Sequence, residues 1–249
     1  MKEALLQQII EKKSQKYLFF PLDFGFYKKP TSELLNIKKL LNDLCINKIG
    51  TPMLHKGLVK TFRKGLDESK LPFFMQITGS TGLYKTIEKV QIASVREAKE
   101  LGALGVSTLI YLGNPIELKM LEMLAKISES ADKEGLLLYT MMYVADFKQG
   151  EFKEDLTLES IKYAARIAYE LGVDIVETRL PEDSENYKEI KELCPIPLII
   201  GDRSSYSDEE YSRKTKLAIS NGYDGISISA RSLNCMPQNL YSQTLEAFV

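Results

Sequence analysis

The sequence predicts an α/β protein of the (β/α)8 or TIM barrel class, and three observations carry that expectation. Short apolar runs recur along the 249 residues, with amphipathic stretches between them. The runs are continuous rather than alternating, as in strands buried on both faces of a parallel sheet. Eight such runs fit into a chain close to the roughly 250 residues a closed barrel needs. An open doubly wound sheet uses the same βα units and is the structural alternative.

In chain order, the stretch Met1–Lys13 mixes Glu, Gln and Lys with Leu and Ile at helical spacing, which predicts an extra N-terminal helix capping the barrel floor. Strands are expected at Tyr17–Leu22, Gly50–Leu54, Phe73–Ile77, Gly105–Tyr111, Leu136–Tyr143, Val173–Val176, Pro197–Ile200 and Gly225–Ile228. Helical patterns fall at Thr31–Leu44, Ser94–Leu101, Pro115–Ala131, Leu158–Leu171, Asn186–Leu193 and Asp208–Ser220. The fragments ELGALGV, ELGVDIV and SNGYDGI repeat one unit: a helix end, a glycine stop and a buried strand. No Pro/Gly/Ser linker divides the chain, so residues 1–249 read as a single barrel domain.

Composition narrows the function. Apolar residues make up 44% and charged residues 27% of the chain, ordinary for a globular protein. A net charge of −1 creates no field that would gather nucleic acid or an anionic membrane surface. Leu136–Ala145, the longest apolar stretch, is about half the ~20 residues a membrane span requires. With no secretion-signal pattern at the amino end, a cytoplasmic location is expected. Cys45, Cys194 and Cys235 are scattered and odd in number, which predicts plain thiols, and one histidine, His55, builds no multi-histidine metal centre. No metal and no cofactor are expected.

Barrel enzymes carry their chemistry at the carboxyl ends of the strands. Here those positions are Asp23, then His55 and Lys56, then Thr78, Ser80 and Thr81. Tyr143 and Asp146 follow the fifth run, and Glu177 and Arg179 lie at the sixth. Asp202–Ser205 follow the seventh and Ser229 and Arg231 the eighth.

The pieces LDFG (Leu22–Gly25), LHKG (Leu54–Gly57), TGST (Thr78–Thr81) and MMY (Met141–Tyr143) come in order at barrel spacing. ARIAYELGVDIVET (Ala165–Thr178), CPIPLII (Cys194–Ile200) and GISISAR (Gly225–Arg231) complete the series. Together they resemble the archaeal-type class I fructose-bisphosphate aldolases and the related aminodideoxyheptulosonate synthases. The resemblance implies an aldolase-type barrel that joins a lysine on the sixth strand to a ketose or ketoacid as a Schiff base. It implies proton transfer by an aspartate and a tyrosine, which fall on Asp23 and Tyr143, and a phosphate arginine, which falls on Arg231. The family's Asp-Ile-Val-Lys-Thr, however, reads Asp174-Ile175-Val176-Glu177-Thr178 here. A carboxylate cannot attack a carbonyl as an amine does. The family's strand-7 Gly-Gly phosphate loop has become Asp202-Arg203-Ser204-Ser205.

The expected function is therefore a class I aldolase-like carbon–carbon lyase on a phosphorylated sugar or ketose, working by acid/base chemistry or through another amine. The alternative is a catalytically impaired homologue that binds a phosphorylated metabolite or partner. Catalytic candidates are Asp23, Tyr143, Glu177 and Lys56, the last as a substitute Schiff-base amine. His55, Ser80, Arg203, Ser204, Ser229 and Arg231 are candidates for substrate and phosphate binding. Glu177 has a plainer alternative as a buried carboxylate paired with Arg179 or Lys56, and Lys56 one as an ion-paired surface residue. A divalent cation on Asp23, Glu177 and Asp202 is a further reading. The resemblance also implies a homo-oligomer.

Overall fold

The computed structural model describes residues 2–12, 14–26, 32–83, 86–148, 151–201 and 207–228. The barrel strands are β1 (Lys16–Pro21), β2 (Thr51–Leu54), β3 (Phe74–Gln76) and β4 (Gly105–Leu112). They continue with β5 (Leu137–Lys148), β6 (Ile175–Thr178), β7 (Leu198–Gly201) and β8 (Gly225–Ser227). Each pairs in parallel with the next, and β8 closes onto β1 through Ile226 opposite Leu18. The sheet is therefore a closed barrel, and the open alternative is excluded.

Seven described helices follow the first seven strands. They are α1 (Ile37–Asn47), α2 (Lys56–Ser69), α3 (Val95–Glu100), α4 (Glu117–Glu134), α5 (Leu158–Glu170), α6 (Lys188–Leu193) and α7 (Asp208–Ser220). Ser94, Thr157 and Ser207 cap α3, α5 and α7 by accepting the third following amide, which satisfies a donor the helix itself leaves unpaired. Gly102 and Gly172 take φ of 77° and 75° just past α3 and α5, a conformation a side chain resists.

Strand alternation makes two cores. Leu18, Phe20, Val106, Leu138, Val176 and Ile226 face outward into a layer shared with the helices. Tyr17, Phe19, Met53, Phe74, Tyr139, Ile175 and Ile199 fill the barrel. Phe19 meets Tyr139 and Phe74 edge to face, with centroids 4.7 and 5.8 Å apart.

Three details depart from the sequence expectation. The helix expected over Met1–Lys13 is only Lys2–Leu6. Ile9 then buries itself, and Ile10–Glu11 pairs antiparallel with Lys16–Tyr17. Two adjacent β-branched residues favour that turn into the sheet, and Glu11 closes it by accepting the Ser14 amide at 2.6 Å. Floor capping itself holds: Leu5, Leu6, Ile9 and Ile10 pack under the barrel, and Lys2 reaches Asp174 at 2.7 Å. Thr31 lies outside the described residues, and Ser32–Asn36 forms a 3₁₀ turn before α1. The sequence pattern missed α2, whose Gly57 and Gly65 dilute a sparse apolar stripe of Val59, Phe62 and Leu66.

Two hairpins rise from the rim. Past β3, Thr78–Gly79 pairs with Val90–Gln91. The far end of β5 pairs with Glu151–Glu154, so that Ala145 stands opposite Glu154. These hairpins carry side chains to the barrel mouth from positions that a count of strand ends does not include.

Candidate active site

Glu177 sits on β6 two residues above Ile175, on the face that points into the barrel. Its register partner on β5 is Met141, so Tyr139 and Tyr143 flank it from below and above. Both tyrosines donate to it, Tyr139 to Oε2 and Tyr143 to Oε1, and the carboxylate is only 2% exposed. Two phenol donors take the place of water for a buried charge, which would otherwise cost several kcal/mol. Burial first, and the neighbouring carboxylate after it, hold the Tyr139 hydroxyl well above the usual phenol range. For Tyr143, burial and Glu177 outweigh the opposing pull of Arg179. Both hydroxyls therefore keep their protons and act as donors.

Arg179, two residues further along, lays its guanidinium 4.0 Å from the Tyr143 ring centroid and donates to Glu154 at 3.2 Å. Gly201, on β7, leaves the space that the group fills: a Cβ there would stand 2.5 Å from Glu177 Oε1 and 3.1 Å from Arg179 Nη1. Glu177 is thus hydrogen-bonded by two tyrosine hydroxyls and not by Lys56, while Arg179 donates to Glu154 and its charge still acts on Glu177.

Asp23 follows β1 and is 5% exposed. Burial raises its pKa to about 7, with Glu177 adding to the rise while its own backbone amide and Lys89 oppose it. Such a carboxyl group exchanges its proton near neutrality, which suits a general acid or base. His55 places Nδ1 3.2 Å from the Gln76 carbonyl and packs against the Phe26 ring at a tilt of 43°, centroids 5.0 Å apart. Burial pushes its pKa down against the backbone carbonyls of Gln76 and Asp23, so its ring ties the β1, β2 and β3 ends together.

Lys56 is not brought to this group. It opens α2 and turns outward to Glu97 at 3.4 Å, with its side chain 43% exposed, because the first turn of α2 faces α3 rather than the barrel axis. The amine at the mouth is Lys89, which sequence reasoning missed. It precedes Val90 in the rim hairpin, and its Nζ donates to Ser80 Oγ at 2.5 Å. Tyr139 was also missed, although Tyr139, Met141 and Tyr143 alternate and must share one face. Arg203, Ser204, Ser229 and Arg231, with Asp202, Ser205 and Cys235, lie outside the described residues. Among the described residues no group of three or more His, Cys, Asp or Glu is placed to hold a metal, and no helix is long and apolar enough to cross a membrane.

A closed parallel barrel with a buried acid beside a carboxylate and two phenols at its carboxyl end defines an aldolase-type barrel. The chain matches the DeoC/LacD family aldolases over residues 17–230 and belongs to that class I aldolase-like family. It is 28% identical over 223 residues to 2-amino-3,7-dideoxy-D-threo-hept-6-ulosonate synthase 1 of Archaeoglobus fulgidus, covering 89% of this chain and 81% of that protein. It is 31% identical over 175 residues to the class 1 fructose-bisphosphate aldolase of Thermoproteus tenax, covering 67% of this chain and 65% of that one. A solved archaeal fructose 1,6-bisphosphate aldolase shares the fold with a TM-score of 0.83 at 23% identity, over 98% of each chain.

Proposed function

We propose that the protein is a carbon–carbon lyase of this family that acts on a phosphorylated sugar or ketose, with Asp23 carrying the proton. The observation that supports it most is the position of Asp23: a buried carboxyl at the head of β1, beside a second buried carboxylate, with a pKa of about 7. As carboxylate, Asp23 takes the proton of the hydroxyl on the carbon to be cleaved. As acid, it returns a proton to the carbanion carbon after the bond breaks. Glu177 fixes the hydroxyls of Tyr139 and Tyr143, and Tyr143 presents its ring edge to Tyr111 with centroids 5.9 Å apart. In this reading Glu177 is a positioning residue. His55 and Ser80 line the substrate's approach, and Arg203, Ser204, Ser229 and Arg231 take the phosphate from the loops after β7 and β8. Lys56 is left out because its amine faces Glu97.

The working form we propose is a cytoplasmic homo-oligomer. Exposed Leu35 in the 3₁₀ turn before α1, and Ile46, Leu118 and Tyr163 on α1, α4 and α5, are consistent with self-association, which light scattering of the purified chain measures.

The test is a retro-aldol assay on fructose 1,6-bisphosphate and a panel of phosphorylated ketoses, with proton–deuterium exchange at the carbon beside the carbonyl read by NMR. Turnover or exchange that falls at least ~100-fold in Asp23→Asn supports the reading. Calorimetric binding of a panel compound without turnover or exchange overturns it in favour of a metabolite-binding homologue.

A further inference from the structure

The mouth holds an amine for which the reading above has no use. Lys89 stands at the foot of the rim hairpin, where Gly79 opposite Val90 and Thr78 opposite Gln91 fix its stem. Thr78 is itself anchored, its Oγ1 accepting the Leu109 amide on β4 at 2.9 Å. The Lys89 amine bonds to Ser80 Oγ and lies 5.6 Å from the centroid of the Tyr111 ring, which in turn meets Tyr143. It is near enough to Asp23 for each charge to act on the other.

Its partners differ from those of the ion-paired lysines. Lys56, Lys99, Lys162 and Lys191 each have a carboxylate oxygen within 3.4 Å. Among the described residues, no carboxylate oxygen comes within ion-pair distance of the Lys89 amine. It has a neutral hydroxyl and an aromatic face instead. A half-buried lysine without an ion-pair partner gives up its proton more readily, and here burial lowers the pKa against the attraction of Asp23. The same lowering favours the free base that a nucleophilic amine needs.

We propose that Lys89 is the carbonyl-capturing amine of this barrel, forming from the rim beyond β3 the Schiff base for which β6 no longer has a lysine. This inference rests on the ketose-cleaving reading of the same site. The lone pair of the neutral Lys89 nitrogen attacks the carbonyl carbon, the carbon–oxygen π bond breaks onto oxygen, and one of the two amine protons passes from nitrogen to that oxygen to give a neutral carbinolamine. Loss of that hydroxyl as water, with the proton supplied by the acid form of Asp23, leaves the iminium. The iminium then accepts the electron pair of the breaking carbon–carbon bond.

The test uses the full chain with dihydroxyacetone phosphate or fructose 1,6-bisphosphate in the presence of sodium borohydride, which reduces an iminium to a stable secondary amine. Intact mass and peptide mapping then locate the adduct. The expected result is one substrate-sized adduct on the peptide containing Lys89, lost in Lys89→Arg and Lys89→Met and retained in Lys56→Ala. Its rate of formation reaches half-maximum at a pH below the ~10.4 of an ordinary lysine. A thermal melt of Lys89→Arg confirms its fold, and the arginine keeps the charge, so a purely structural role leaves its turnover intact. No adduct on the wild-type chain, or an adduct on another lysine, overturns the inference. Full turnover in Lys89→Arg overturns it too while leaving the Asp23 reading in place. An adduct on Lys89 without turnover does the reverse.

Discussion

The lower and upper halves of the barrel interior are built by the same strands and have opposite chemistry. On β6 the inward residue is Ile175 below and Glu177 above; on β7 it is Ile199 below and Gly201 above. On β1, Phe19 faces the lower interior and the chain then delivers Asp23 to the mouth. A step of two residues per strand therefore separates close apolar packing from a set of buried ionisable and polar groups. The lower half supplies stability. The upper half gives some of it up to hold carboxyl groups where water is scarce.

The largest expected effect tests the lower half. Phe19 is fully buried between Phe74 and Tyr139, so Phe19→Ala leaves a cavity among rings that cannot collapse. A loss of about 4 kcal/mol in urea unfolding is expected, with turnover per folded molecule little changed. A loss below about 1 kcal/mol would show that the lower half is not the stabilising half.

Asp23→Asn tests the upper half, and its sign is the opposite. The folded pKa of Asp23, about 7, lies above the 3.8 of the unfolded chain. Between those values the native state holds a proton that the unfolded state has lost, so wild-type stability falls as pH rises from about 4 to 7. The asparagine variant escapes that loss. It matches the wild type near pH 4 and exceeds it by on the order of 3 kcal/mol at pH 8, while losing turnover. Urea unfolding at the two pH values measures the gap, and a gap that does not widen with pH removes the case for a strained acid.

What the sequence revealed follows the same division. All eight strands were legible because strands buried on both sides are apolar throughout; their ends were off by one or two residues, except that β5 runs five residues past the expected Tyr143, to Lys148. Asp23, Tyr143 and Glu177 were legible because each stands at or just past the end of the apolar run of its strand. Lys89 was not, because it lies thirteen residues past the end of β3, just before the returning strand of a hairpin, and no local pattern says where an excursion folds back. Tyr139 was hidden for a different reason. In LLLYTMMY a buried phenol looks like one more core ring, and only the β5–β6 register shows that it meets Glu177. The helix α2 escaped through its two glycines, and the floor helix was overdrawn because Ile9 and Ile10 fit a helical stripe and a sheet edge equally well.

Tyr139 spans the two halves, its ring in the lower cluster and its hydroxyl on Glu177. Tyr139→Phe keeps the first contact and deletes the second. It leaves one carboxylate oxygen short of a donor, with an expected loss of about 2 kcal/mol, less than the Phe19 cavity. Adding Glu177→Gln separates the causes. If the phenol matters through the carboxylate, the two substitutions together cost less than the sum of their separate effects.

The smallest change in volume probes the packing of the upper half. Gly201→Ala adds one methyl at 2.5 Å from Glu177 Oε1 and 3.0 Å from the Tyr143 hydroxyl, closer than such atoms approach, so the carboxylate must move. The Tyr143 hydroxyl bonded to that oxygen is crowded by the same methyl, so the movement disturbs the Tyr143–Glu177 hydrogen bond. The expected loss is about 1 kcal/mol, near the low end for overpacking, because the end of a side chain gives way more easily than backbone. The effect on turnover is the sharper test. If Glu177 positions Tyr143 at the mouth, turnover falls well beyond what that modest loss of stability explains, whereas the same methyl added at exposed Gly57, where nothing lies within 4 Å, leaves it unchanged. Equal turnover in the two variants would mean that the tyrosines and Glu177 serve packing alone, and that the chemistry of the mouth rests on Asp23 and Lys89.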